Sequence, residues 1–122
     1  MIQKTTLCTW NVCLGSRTKI NLIEDFITEN KIDILCIQEA EIPEDYNIDV
    51  YKIKGYEIET ETALPHQTKR TSMYIRSGIK YKRRHELERP ESHIIIITLG
   101  DTGIGIASVY RTYKLTHKPT HK

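Results

Sequence analysis

What most restricts the fold is a short apolar run placed just behind a helical stripe. Residues 32–37 read Ile-Asp-Ile-Leu-Cys-Ile, apolar except for Asp33. A run of that kind suits a strand covered on both faces of its sheet. Upstream, residues 5–12 are rich in Thr, Leu, Cys, Trp and Val and predict an earlier strand. Gly15-Ser16 breaks that strand, and Ser16 can cap a following helix. Ile20, Ile23, Phe26 and Ile27 then recur at helical spacing, which predicts a helix over residues 17–30 with one apolar stripe and a stop at Asn30-Lys31. Strand, helix and strand make a βαβ unit, whose strands should lie parallel with a right-handed crossover. The class is therefore α/β, or α+β with a mixed sheet.

Downstream the pattern changes. Residues 40–55 read as a loop with room for a short strand, broken by Pro43 and Gly55. Further strands are expected at 56–60, 71–76, 79–84, 93–99 and 104–110. Ser77-Gly78 and the Gly100-Asp101-Thr102-Gly103 turn predict that the last four of these form two hairpins. A sheet of that many strands with one helix leaves much of one face bare, whereas parallel strands are normally covered on both. Residues 1–122 are thus expected to form a single partial domain, with a sheet face open to self-association.

Composition narrows the class. An apolar share of 39% with mixed charges fits a folded soluble chain rather than a disordered one. The longest purely apolar run, Ile94-Ile95-Ile96-Ile97, is far short of the roughly 20 residues a membrane helix needs. With no apolar signal-like core at the N-terminus, an intracellular setting, nuclear or cytoplasmic, is expected. Cys8, Cys13 and Cys36 form an odd set without C-x-x-C spacing, which speaks against a disulfide framework and a structural zinc site. Cys8 and Cys36 fall in strand-like runs, where a thiol serves as a small core group. A nucleophile of the Cys-His type is correspondingly a poor fit.

The net charge of +2 conceals segregation. Residues 39–61 carry eight acids against Lys52 and Lys54, residues 69–84 carry seven bases and no acid, and residues 111–122 add four more bases. Clustered positive charge attracts phosphate-bearing partners, and Lys69 and Arg70 open that basic run. The competing reading is a solvated hairpin face and tail.

Ligand sites in open α/β sheets gather beyond the carboxyl ends of the strands. The first strand ends at Asn11 and the second at Gln38-Glu39. Parallel neighbours would set Asn11 beside Glu39, an oxygen-only pair suited to Mg²⁺ or Mn²⁺ rather than zinc. Equally, Glu39 could open a polar loop and Asn11 cap a turn.

The segments "TWNV" (residues 9–12), "IDILCIQEAEI" (32–42), "RTSMYIRSGI" (70–79) and "GIASVYRTYK" (105–114) occur in an order that resembles the exonuclease–endonuclease–phosphatase superfamily. They look most like the endonuclease domains of non-LTR retrotransposons. The resemblance implies about half of a four-layer α/β sandwich and a divalent ion, usually Mg²⁺, assisting phosphodiester hydrolysis by an activated water. It implies that Glu39 binds the metal, that Asn11 helps hold the metal or the scissile phosphate, and that Tyr110 is an active-site tyrosine. Arg111, next in sequence, would favour the DNA backbone. The family's Asp-x-Asn and Ser-Asp-His motifs would lie beyond residue 122. "GDT" at 100–102 lacks the Asn, precedes Tyr110 and fits a turn. His66, His85, His93, His117 and His121 do not follow an Asp. The implied protein is a truncated, retroelement-derived DNA endonuclease domain, inactive alone. A non-catalytic nucleic-acid-binding module and a phosphatase or phospholipase of the same fold are the alternatives.

Overall fold

A computed structural model of the chain describes residues 4–13, 15–100 and 102–111. Strand β1 (Leu7–Asn11) leads through a 3-10 turn at Arg17–Lys19 into helix α1 (Ile20–Glu29) and then strand β2 (Ile34–Ile42). Strands β3 (Tyr56–Thr60) and β4 (Lys69–Arg76) follow, then β5 (Tyr81–Arg83), β6 (Ile94–Leu99) and β7 (Gly105–Val109).

The apolar stripe on α1 works as its spacing predicts. Ile23 and Ile27 are fully buried against Leu35, Ile37 and Tyr74 on one sheet face, and the Trp10 and Phe26 rings pack 5.2 Å apart. Each such isoleucine contributes about 1.5–3 kcal/mol relative to leaving it exposed. The helix stops where Asn30 turns its Nδ2 onto the Phe26 carbonyl at 2.9 Å and Lys31 enters the left-handed region at φ 51. Ser16 is not the expected cap. It is buried, and its Oγ donates to the Ala40 carbonyl at 3.1 Å, joining the loop to β2 instead.

Strands β1 and β2 are parallel in the register Leu7↔Ile34 through Asn11↔Gln38. Strand β4 is antiparallel to both β2 and β3, giving a four-stranded mixed sheet in the order β1-β2-β4-β3. A separate antiparallel sheet has the order β5-β6-β7. The two sheets pack face to face through Ile34, Cys36, Met73 and Ile75 against Ile95 and Ile97. Helix, mixed sheet and antiparallel sheet thus make three layers.

Two expectations are corrected here. Residues around Ser77-Gly78 do not close a hairpin, because β4 and β5 lie in different sheets. Ser77 donates its N–H to Gly55 at 2.8 Å and Gly78 sits at φ +101, so this turn is a corner between sheets. The second hairpin does form: β6 pairs with β7, and Gly103 donates to Leu99 at 2.9 Å. Asp101 itself lies outside the described residues. The face expected to be bare is largely covered by the chain's own second sheet. Among the described residues a groove between β1 and β7 stays open, where Leu7 and Val109 are each about half exposed, 50% and 49%, as does the outer face of the second sheet, where Gly105, Ala107 and Val109 are exposed. No helix among the described residues is long and apolar enough to cross a membrane.

Candidate phosphodiester site at one end of the sheets

A hydrogen-bonded chain of three side chains ties the sheets together at one end. Thr9 Oγ1 donates to Gln38 Oε1 at 2.8 Å, and Gln38 Nε2 donates to Ser108 Oγ at 3.2 Å. It links β1, β2 and β7, and it satisfies both ends of an amide that would be costly to bury unpaired. Asn11 lies two residues beyond Thr9, Glu39 one beyond Gln38, and Tyr110 two beyond Ser108. Three sequence-predicted site residues therefore leave the sheets at the same end.

Asn11 and Glu39 meet directly. Asn11 Nδ2 donates to Glu39 Oε2 at 3.0 Å, while Asn11 Oδ1 accepts the Cys13 N–H at 3.0 Å. The amide is thus used at both ends to aim the carboxylate. Strand β2 runs on to Ile42 rather than ending near 37, with a register shift between Gln38 and Ile42. Glu39 and Glu41 both occupy the left-handed region, at φ 57 and φ 51. Such conformations cost about 1–3 kcal/mol for residues other than glycine and cluster at functional sites. Here they are held by the loop ahead of α1: Gly15 donates to the Glu39 carbonyl at 3.0 Å, and Ser16 to Ala40 at 2.9 Å. Gly15 serves this because its φ of +108 suits only glycine well.

Tyr110 is half-buried just past β7. Its N–H donates to the His93 carbonyl at 3.0 Å, its ring lies edge-on to the His93 ring with centroids 6.2 Å apart, and the Arg70 guanidinium sits 5.8 Å from its centroid. Arg70 also pairs with Glu41, Nε to Oε2 3.4 Å, without an aligned hydrogen bond from that nitrogen. Arg111 is exposed beside Tyr110. Lys69 is committed inward, its Nζ donating to the Glu61 carbonyl at 2.7 Å and lying 5.6 Å over the Tyr46 ring.

The basic run is largely neutralised by the acidic one. Arg70, Arg76, Arg83 and Arg84 pair with Glu41, Asp33, Glu59 and Glu86 respectively, so with Lys69 five of the seven bases in residues 69–84 have internal partners. The basic tail from residue 112, with His117 and His121, lies outside the described residues. Cys36 is buried and burial pushes its thiol up, while Cys8 is half-buried and Cys13 exposed.

Among the described residues, the carboxylate that Asn11 steadies for a cation is the half-buried Glu39. Among the described residues no three His, Cys, Asp or Glu side chains gather as a metal-ligand cluster. That suits a hydrated hard ion, which takes one or two protein carboxylates and completes its shell with water and phosphate oxygens. It does not suit a closed zinc site.

Two residues escaped sequence reasoning. Glu61 is buried at 1% exposure, and its Oε1 lies 2.9 Å from His93 Nδ1. The pair is 32 residues apart, and Glu61 ends an acidic, alternating stretch that reads as solvated. No spacing signal could have joined them.

The fold is shared with solved nucleases. An AP endonuclease from Archaeoglobus fulgidus is 18% identical with a TM-score of 0.60, matched over 88% of this chain and 41% of its own. The endonuclease domain of TRAS1, a telomere-specific non-LTR retrotransposon, is 15% identical with a TM-score of 0.61, over 85% and 44%. A 3'-5' exonuclease, NExo, from Neisseria meningitidis is 19% identical with a TM-score of 0.57, over 84% and 40%. No protein-family model and no curated protein sequence matches the chain. The resemblance read from the sequence is borne out at the level of fold, and the chain spans about two-fifths of the length of these nucleases.

Proposed function

We propose that this chain, which shares its fold with those nucleases, carries part of a divalent-metal-dependent phosphodiesterase site that acts on DNA and derives from a retroelement. The observation that carries the reading is the Asn11–Glu39 pair, 3.0 Å apart, at the sheet end that also bears Tyr110. Glu39 would hold Mg²⁺ or Mn²⁺, with Asn11 keeping its carboxylate turned toward the ion. The bound ion would polarise the phosphodiester and stabilise the leaving oxygen. Tyr110 and Arg111, which follow β7 at the same end of the sheets, would contact a phosphate approaching that ion. The TRAS1 endonuclease domain among the similar structures supports a retroelement origin.

A stripe of phosphate-binding bases along residues 69–84 is less well supported, since most of those bases already have partners. With one carboxylate at the site, hydrolysis by this chain alone is not expected.

The test is a Mn²⁺ titration of labelled protein followed by paramagnetic broadening of backbone amide signals. Signals from residues 11–16 and 38–41 should broaden first, and Glu39→Gln should abolish that preference. The same Mg²⁺-loaded protein should leave supercoiled plasmid intact. Broadening that ignores Glu39→Gln would sink the metal assignment, and nicking lost in that variant would overturn the claim of inactivity.

A further inference from the structure

Glu61 has no part in the metal reading, yet it is one of the most completely enclosed charged groups in the chain. Its Oε2 accepts the backbone N–H groups of Arg70 at 2.6 Å and Thr71 at 2.9 Å, and its Oε1 faces His93 Nδ1 at 2.9 Å. A carboxylate offers only acceptors, so the proton between Glu61 and His93 sits on Nδ1. That fixes the tautomer and leaves Nε2 as the nitrogen on the ring's outer edge. The same residue is anchored through its backbone, since the His93 carbonyl accepts both Tyr110 N–H at 3.0 Å and Thr71 Oγ1–H at 3.1 Å. The ring borders a cleft that it shares with Tyr110, Arg111, Gln67, Ser92 and Glu91.

We propose that this cleft is a phosphate subsite for the nucleic-acid backbone, in which Glu61-oriented His93 and Arg111 together contact one phosphate oxyanion. The proposal rests on the DNA-directed reading above and extends it to groups that the metal site does not use. With Nδ1–H committed to Glu61, the ring meets an oxyanion by taking a second proton on Nε2 from solvent as the phosphate binds. The resulting imidazolium and the Arg111 guanidinium both donate, and hydrogen bonds from charged donors to phosphate are short and strong. Arg70, paired with Glu41, lies with its guanidinium 5.8 Å from the Tyr110 ring centroid. Glu91 is the one acid on the cleft wall, and it is exposed.

The test uses the full chain in EDTA, so that metal binding at Glu39 plays no part. Long-range ¹H–¹⁵N spectra of the histidine rings are recorded with a short DNA duplex, and separately with phosphatidylglycerol vesicles. Free protein should show His93 protonated on Nδ1, and the duplex should shift His93 Nε2. His93→Asn keeps an amide donor for Glu61 but removes Nε2. It should unfold at the wild-type temperature yet bind duplex about tenfold more weakly, as should exposed Arg111→Ala. A His93 ring with no proton on Nδ1 in the free protein, a response to vesicles alone, or duplex binding unchanged in both His93→Asn and Arg111→Ala would overturn the proposal. Should His93 respond to DNA while Mn²⁺ ignores Glu39, the subsite stands and the metal reading falls. The reverse pattern removes the subsite alone.

Discussion

At the scale of single residues, Arg83 is the most heavily committed charge. It is 9% exposed, and its guanidinium reaches Glu88 at 2.6 and 2.9 Å and Glu59 at 2.8 Å. Tyr81 Oη donates to the other Glu59 oxygen at 2.6 Å, so the cluster fastens β5 of one sheet to β3 of the other. Removing the arginine would strand two carboxylates. Arg83→Met should therefore cost about 3–5 kcal/mol in urea unfolding. Burial alone would raise the Glu88 carboxyl, but Arg83 and the Ile96 N–H outweigh it and hold Glu88 below its usual value. A depressed carboxyl contributes stability that is present above the unfolded value and lost as pH falls through the folded one. The melting temperature should accordingly fall as pH drops below the ordinary carboxylate range, and Glu88→Gln should flatten part of that fall. An equally steep fall in the variant would show that Glu88 is not its source. Glu39 could be picked from the sequence because an apolar strand runs straight into it. Its left-handed backbone could not, since nothing local demands it; the register shift in β2 and the pinning by Gly15 and Ser16 impose it.

At the scale of elements, the site depends on the ends of β1, β2 and β7 being held level. The Thr9–Gln38–Ser108 chain does this, and Ser108 is 3% exposed. Ser108→Ala would leave the Gln38 amide nitrogen without its acceptor, at a cost of about 1–3 kcal/mol. Urea unfolding measures that loss, and a change within error would mean water replaces the hydroxyl. The βαβ unit was legible because apolar residues at a period of 3.6, set between two short apolar runs, fit a helix between strands and little else. The corner at Ser77-Gly78 was not. A Ser-Gly turn serves a hairpin or a passage between sheets equally well, and only the burial of residues 71–75 in the interior of the first sheet decides between them. For the same reason the count of strands was close, while periodicity alone read one sheet and only the resemblance to a four-layer sandwich implied more than one.

At the scale of the molecule, two small sheets suffice to bury a shared core of isoleucines, Cys36 and Met73, with α1 closing the far side. Among the described residues, one apolar surface is the groove between the two edge strands, β1 and β7, with Leu7 and Val109 on its rim. That groove runs beneath the proposed site, since Thr9, Gln38 and Ser108 line it. The charge segregation of the sequence is spent mainly inside the fold, acid against base, as in Arg70–Glu41, Arg76–Asp33 and Arg83–Glu59. The decisive measurement is a crystal of the chain soaked in Mn²⁺ and recorded at a wavelength where manganese scatters anomalously. A peak is expected about 2.0–2.2 Å from a Glu39 carboxylate oxygen, lost in Glu39→Gln. A peak only at exposed histidines such as His66 or His85, or no peak in crystals of the intact chain, would contradict the metal assignment.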